Sequence, residues 1–485
     1  MKVLITVIAC AICVCNSFSQ SYNNNWAFGD SCGLNFSSGE PVFFETVMES
    51  FEACASISDS AGNLLFYTNG EKVWNKNHEV MPNGEGLEIG KTGGHSSITQ
   101  GVTVILFSEI AYVFYLSGGL YSSGLKYSKI DMSLDDGFGD VIEKNVGIDS
   151  ISGYTQKMTV VKHANGIDWW LVRLGYHAGY LDADDPLNWL INLIHGDTIE
   201  NVIVQYTGLN MDLAVFPGQM KFTQDGSMLA CIRGTDLDIY TFDRCTGEFE
   251  LFYSIDTVDK KGLYGCEWSP NGTKLYVSSM DLPPSRKNIY QYCIDCEVEI
   301  KDTKDTIFYA ENNRYLFGQM QLGPDEKIYI VNRDGNDLSG YNFYNSHLSV
   351  INSPNLLGLL CDYDTTTISL IDHITFGSLP NMPNYNLGVL AGSECDTSST
   401  SIYDDDNVEN TITIYPNPAN EYIIISGDIN AGTIIKIYSA DGRVVLQEKI
   451  NTTNTKVNIS KLPPGVYVIQ ISEDGWVKYS EKLFK

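Results

Sequence analysis

The sequence predicts an all-β protein: a six- to seven-bladed β-propeller followed by a small immunoglobulin-like β-sandwich. Three observations carry that expectation. Short runs rich in Val, Ile, Tyr and Phe are broken every eight to twelve residues or so by Gly, Asn and Asp, and no segment sustains a helical period. One hairpin pattern recurs at a spacing of about fifty residues. The last 75 residues or so differ from the rest in charge and in turn chemistry.

The recurring unit is an apolar strand, a turn built on Asn-Gly, Asp-Gly or a near relative, and a second strand rich in Tyr, Ile or Leu. It runs from Ile57 to Phe66, Val161 to Trp170, Phe222 to Leu229, Trp268 to Tyr276 and Leu322 to Tyr329, with a variant lacking the turn signal at Phe107 to Leu116. Gly and Asn stand in these turns because a two-residue hairpin loop needs positive φ. Successive units lie 50, 54, 61, 46 and 54 residues apart, close to the length of a four-stranded blade of the WD40- or YVTN-like kind. Six units are visible. A seventh is expected from the segment Leu348 to Leu379 pairing with the N-terminal strand near Trp26, which would hide the open edges. A string of separate sandwiches would instead show modules of about 100 residues with linkers between them, and no linker breaks the body.

Ahead of the body, Lys2 is followed by a thirteen-residue, largely apolar run from Val3 to Cys15 and then by polar residues to Gln20. The run is too short for a membrane span, which takes about 20 residues, and suits a signal peptide. Ser17 and Ser19 frame Phe18 in a small-x-small pattern, so cleavage is expected after Ser19 and residues 1–19 are assigned to the signal. Val7 to Cys10 resembles a lipoprotein box, but it leaves too little apolar core before the cysteine. No later apolar stretch approaches the length of a transmembrane helix.

The formal charge is −29, of which residues 411–485 and the signal contribute +1 each, leaving −31 on the middle. Such a body repels nucleic acid and anionic lipid and leaves cations, basic partners or neutral glycans as ligands. Nine cysteines follow the signal, an odd number that leaves at least one unpaired within the chain. Cys293 and Cys296 form a lone C-x-x-C without a second pair or nearby histidines, which reads as a strand-end or core pair and not as zinc.

The body is assigned to residues 22–390. Residues 391–410 are polar, rich in Ser and Thr, and include Asp404-Asp405-Asp406, so they read as an acidic, solvated linker. These aspartates lack the glycine and distal glutamate of an EF-hand loop. Asp182, Asp184 and Asp185 make calcium the one cofactor the acidic loops suggest, with a solvated turn as the simpler reading. The seven histidines, His78, His95, His163, His177, His195, His347 and His373, are dispersed, and no two have the i, i+4 spacing of a helical zinc site. No nucleophile elbow, phosphate loop or dinucleotide fingerprint is found, so no catalytic, cofactor-binding or metal-ligating residue is assigned. The 29 Tyr and 7 Trp, Trp169-Trp170 among them, wedge blades together if buried and stack on sugar rings if exposed.

Residues 411–485 contain Ile414-Tyr415-Pro416-Asn417-Pro418, Ile423-Ile424-Ile425, Asp441-Gly442-Arg443, Pro464-Gly465-Val466-Tyr467 and a tail through Lys482 to Lys485. The prolines fix an extended start, Asp441-Gly442 makes a tight hairpin and the alternating strands bury one face. In this order and spacing the segment resembles the type IX secretion C-terminal sorting domain. The resemblance implies recognition by that translocon at the outer membrane, through Tyr415, Pro416, Asn417, Pro418, Asp441, Gly442, Gly465, Tyr467, Lys482 and Lys485, and delivery to the cell surface or medium via the periplasm. The body resembles a group of secreted propellers carrying the same domain, at Ala53 to Asp59, Gly62 to Asn75, Ser96 to Gln100, Lys162 to Gly166 and Leu348 to Cys361. That group implies architecture and no defined activity.

Cys54 and Cys361 fall in the first and last units, neighbours in a closed ring, and are expected to form a disulfide across the closure. The functional expectation is an exported binding or scaffold protein whose ligand is a glycan or a protein. The alternative is a secreted enzyme of lactonase or glycan-cleaving type with a metal at the channel mouth.

Overall fold

Seven small antiparallel sheets follow one another along the body of the computed structural model. It describes residues 21–90, 97–117, 124–149, 154–176, 186–210, 217–256, 262–279, 287–310, 315–334, 341–396, 412–427, 432–439, 443–450, 452, 454–473 and 476–485. The chain divides into two compact units between residues 399 and 400.

Sheet one has three strands, β1 (Asn25–Phe28), β2 (Asp30–Asn35) and β3 (Val42–Glu49). Sheet two is β4 (Ala55–Ser58), β5 (Leu64–Thr68), β6 (Lys72–Asn75) and β7 (Val80–Glu85). Sheet three is β8 (Val102–Phe107), β9 (Ile110–Ser117), β10 (Gly124–Asp131) and β11 (Asp140–Gly147). Sheet four has five strands, β12 (Tyr154–Lys162), β13 (Trp169–Tyr176), β14 (Pro186–His195), the short β15 (Thr198–Ile199) and β16 (Ile203–Asn210). Sheet five is β17 (Met220–Phe222), β18 (Met228–Arg233), β19 (Asp236–Phe242) and β20 (Phe249–Asp256). Sheet six is β21 (Leu263–Trp268), β22 (Lys274–Ser279), β23 (Asn288–Cys293) and β24 (Asp305–Tyr309). Sheet seven is β25 (Tyr315–Leu322), β26 (Ile328–Asp334), β27 (His347–Ile351) and β28 (Tyr363–Ser369).

In sheets two to seven the six hairpins read from the sequence are the turn between the first strand and the second. The Asn-Gly and Asp-Gly turns work as their chemistry requires: Asp225 Oδ1 accepts from Ser227 N at 3.0 Å while Gly226 takes φ +72°. Two turns lack glycine at that place, and there Ser108 (φ +54°) and Glu326 (φ +63°) adopt the left-handed conformation. The segment Phe107 to Leu116 is therefore a true hairpin.

The first strands β4, β8, β12, β17, β21 and β25 touch in succession, and β1 touches β4, so the sheets stand around an axis as propeller blades. The ring closes by packing. Trp26 of β1 meets Tyr329 of β26 edge to face at 5.4 Å, and one buried cluster joins Trp26, Phe28 and Leu34 to Tyr67 and Trp74 on one side and Val331, Leu348 and Val350 on the other. The closure differs from expectation. Leu348 to Ser369 belong to sheet seven itself, and the N-terminal strands form a sheet of their own. The two are joined to residues 374–375 by a single bridge, Asp30 N to Ile374 O at 2.9 Å, and by Thr375 N to Asn345 O at 2.8 Å.

From there the chain does not leave the body. Residues 374–396 run past the inner strands as a strap: Asn381 N donates to Cys54 O, Tyr385 Oη to Val104 O, and Leu390 N to Ala164 O. The strap ends in a disulfide between Cys395 and Cys245 of sheet five. Residues 391–396, the start of the expected linker, are exposed or half-exposed and are tethered to the body through the Cys245–Cys395 disulfide.

The expected Cys54–Cys361 disulfide is not formed. Cys54 is buried beside Ser378 in the cluster around Trp26, whereas Cys361 is buried under Tyr276 in a separate cluster between sheets six and seven. Cys293 and Cys296 are disulfide-bonded, and Cys32, Cys54, Cys231, Cys266 and Cys361 are free and buried.

The second unit is a sandwich. One sheet holds β29 (Thr413–Tyr415), β30 (Tyr422–Ser426) and β33 (Thr455–Asn458); the other holds β31 (Thr433–Ser439), β32 (Val444–Ile450), β34 (Val466–Glu473) and β35 (Trp476–Phe484). Alternate residues, Ile423, Ile425, Ile435, Ile437, Ile469, Ile471 and Leu483, fill the space between them.

Candidate functional site

The middle of the propeller is closed by three glutamines on alternate blades. Gln100 pairs with the backbone of Met220 (Nε2 to O 3.0 Å, N to Oε1 2.8 Å), and Gln219 pairs likewise with Met320 (3.1 and 2.7 Å). Gln319 donates to Thr99 O and accepts from Leu379 N of the strap at 3.0 Å. The amides run from sheet three to five to seven and back to three. Asn381, also from the strap, donates to Val102 O and Met158 O at 3.1 and 2.9 Å. These groups satisfy one another, so they form a structural core with no role left for a ligand. The repeated Gly-Gln-Met at 218–220 and 318–320 marks two of the three in the sequence.

A cleft of about 470 Å³ opens where the strap passes the hairpin turns. Its walls come from the start of the body (Asn23, Asn24), the turn of sheet five (Gln224), the turn of sheet seven (Gln321 to Glu326) and the strap (Met382, Asn384, Asn386). Carboxamides dominate, Pro270, Pro324 and Met382 add apolar surface, and there is no histidine, lysine or arginine in the lining.

Two acceptor atoms in this lining are buried without a hydrogen-bond partner, Asn23 Oδ1 and Asp325 Oδ1. Asn23 spends its amide on Pro383 O at 3.1 Å, which fixes the side chain and leaves the oxygen free. Asp325, with a side chain 8 % exposed, accepts from Tyr329 Oη at 2.8 Å through Oδ2. Burial pushes its carboxyl above the usual range, while the Tyr329 hydroxyl, the Lys327 ammonium and the backbone N–H groups of Lys327 and Asp325 pull it back. Unpaired buried acceptors are costly in a folded protein.

The other chemistry-bearing groups do not converge. His163 is buried against Trp170, with Nε2 3.1 Å from Cys245 O, and His78 lies 3.0 Å from Tyr67 Oη. His195 pairs with Asp168 at 2.7 Å on the surface, where the carboxylate raises the imidazole pKa. His95, His177, Asp182, Asp184, Asp185 and Asp404 to Asp406 lie outside the described residues. Among the described residues the one trio of donors close enough to share a metal is Cys293, Asp295 and Cys296, and the disulfide removes its two thiolates.

In the sandwich, Asn417 of the Tyr-Pro-Asn-Pro motif holds the last strand by its backbone, Nδ2 to Lys482 O at 2.6 Å and Phe484 N to Oδ1 at 2.9 Å. Gly465 and Lys485 exchange backbone bonds at 2.8 and 3.0 Å, and Tyr467 Oη donates to Pro463 O at 2.7 Å. Tyr415 is half exposed. Asp441, Gly442 and the cleavage position Ser19 lie outside the described residues.

No curated protein matches the chain. Solved structures with a similar course include a proposed 6-phosphogluconolactonase from Bacteroides uniformis (14 % identity, 73 % of this chain and 98 % of that one, TM-score 0.44). A second of the same description, from Bacteroides fragilis, has 14 % identity over 74 % and 96 % (TM-score 0.44). The β-propeller domain of Cps50 from Myceliophteria thermophila has 9 % identity over 64 % and 93 % (TM-score 0.35). These likenesses assign no activity. Residues 413–485 match the family described as the secretion system C-terminal sorting domain. The chain is therefore a bacterial β-propeller protein that carries a type IX secretion sorting domain and is exported to the cell surface or the extracellular space.

Proposed function

We propose that the propeller is a binding protein for a neutral glycan, held in the cleft between the strap and the hairpin turns. The observation that carries this is the cleft lining itself, with Asn23, Asn24, Gln224, Gln321, Asn384 and Asn386 in its walls and no cationic side chain among them. Sugar hydroxyls donate to and accept from these carboxamides, while Met382 and the prolines meet the apolar faces of the rings. A charge of −31 on the body disfavours anionic ligands. Removal of residues 1–19 after Ser19 and passage through the translocon, with the sorting-motif residues Tyr415 to Pro418, Asp441, Gly442, Gly465, Tyr467, Lys482 and Lys485 as its recognition signal, complete the reading.

A glycan array followed by calorimetry on the purified protein tests it. The expected result is saturable binding of a neutral oligosaccharide without turnover, weakened about tenfold or more by Asn23→Ala and by Asp325→Asn. Stoichiometric tightly bound calcium or zinc together with cleavage of a glycan or lactone would replace this reading by the enzyme. Silence across the array, or binding indifferent to both substitutions, would remove the cleft from consideration.

A further inference from the structure

The loop between β27 and β28 displays four leucines in five positions around Gly358: Leu356 and Leu357 are about half exposed, Leu359 is 80 % and Leu360 71 % exposed. A soluble surface rarely carries so dense an apolar group without a partner for it.

The loop is held firmly from below. Gln291 of β23 donates to Leu356 O at 2.7 Å and accepts from Gly358 N at 2.8 Å. Tyr276 Oη donates to Pro354 O at 2.8 Å, and the base is closed by Ser353 N to Cys361 O at 2.9 Å. Sheet six thus clamps a loop of sheet seven, and Cys361 is buried beneath it. The leucines are presented on fixed backbone, so little conformational freedom is lost when they are covered.

We propose that this leucine knob is a docking surface for a protein partner that offers an apolar pocket with a basic rim. Charge selects that partner. The Asp305 carboxylate lies against Gly358, 2.8 Å from where a Cβ would stand, and Asp362 closes the loop. Acidic neighbours on a body of −31 repel an anionic membrane surface and also a second copy of the same chain. No residue of this loop lines the glycan cleft, and the proposal does not depend on that reading.

The test uses a phage-displayed random dodecapeptide library panned on the purified full chain, with the selected peptides then synthesised. Peptides that combine Leu, Ile or Phe with Arg or Lys are expected. Their affinity should fall about tenfold or more in the double variant Leu359→Ser, Leu360→Ser, weaken with added salt, and stay unchanged in Asn23→Ala. Both leucines are solvent-facing, so the thermal midpoint should be kept; if the double variant unfolds, Leu359→Ser alone serves. Peptides indifferent to the leucine substitutions, or no enrichment, would overturn the proposal. So would leucine-dependent flotation with phosphatidylglycerol vesicles or leucine-dependent dimers in sedimentation.

Discussion

Asn381 Nδ2 lies 2.9 Å from the carbonyl oxygen of Met158, 223 residues earlier in the chain. The same side chain donates to Val102 O and accepts from Gln100 Nε2 at 3.4 Å, so one strap residue ties the first strands of sheets three and four. Asn381→Ala leaves buried carbonyls without donors. It should cost about 2–4 kcal/mol in denaturant unfolding of the body. A loss below about 1 kcal/mol would show that the strap is held elsewhere.

The Cys245–Cys395 disulfide spans 150 residues and fixes the end of the strap. Cys395→Ser should lower stability by about 3–5 kcal/mol, in line with the loop it closes, and should leave the seven sheets intact. Equilibrium unfolding of the variant beside the parent protein, with circular dichroism of both native states, measures this.

Thiol counting follows from the same pairing. Four of the nine cysteines beyond the signal are bonded, and the other five are buried. Ellman's reagent should find no accessible thiol in the native mature protein and about five after denaturation without reductant. A count of three would restore a pair such as Cys54 with Cys361.

Alkali should destabilise the body. Burial pushes the thiols of Cys54 and Cys231 up to about 12 and that of Cys361 to about 11, and raises Cys32 and Cys266 as well. The unfolded chain releases these protons near pH 9 and the folded chain keeps them, so their contribution is intact below pH 9 and is lost as pH rises through the folded values. Burial of Lys157 acts the other way, bringing its amine down to about 8. Five thiols outweigh one amine, and the thermal midpoint should fall between pH 9 and 10.5.

Ser108 adopts φ +54° in a turn where other blades place glycine. Ser108→Gly should relieve this and stabilise the body by about 0.5–1 kcal/mol, read from the urea midpoint.

Asn417 joins the start of the sandwich to its last strand. Asn417→Ala should destabilise the isolated fold of residues 412–485 by about 1–3 kcal/mol and lower the amount of protein reaching the cell surface, measured by whole-cell protease shaving. Normal delivery despite such a loss would separate sandwich stability from sorting.

How much of this was legible depends on how local the cause is. The six hairpins could be read because each turn is decided by two or three consecutive residues, and the inner strand ends at Ile57, Phe107, Val161, Phe222, Trp268 and Leu322 all fall where the spacing put them. The closure was legible in outline, since the segment 348–379 does meet the N-terminal strands through Asp30 and Ile374, but not in detail, because one bridge and a Trp26–Tyr329 contact leave no pattern along the chain. The disulfide partner of Cys245 lies in a stretch whose composition resembles a linker. The cleft was invisible for the same reason: Asn23, Asp325 and Asn384 come together only once the strap is laid down. The sorting segment was readable as a domain because its prolines, glycines and terminal strand act over a few dozen residues.

The strap's place at the end of the body sets the order in which the body can be finished. Cys395 follows every blade, so Cys245 has no mate until the whole ring has been synthesised and moved into an oxidising compartment. A molecule truncated before that point keeps Cys245 as an unpaired thiol on sheet five, a chemical difference between the unfinished and the finished body.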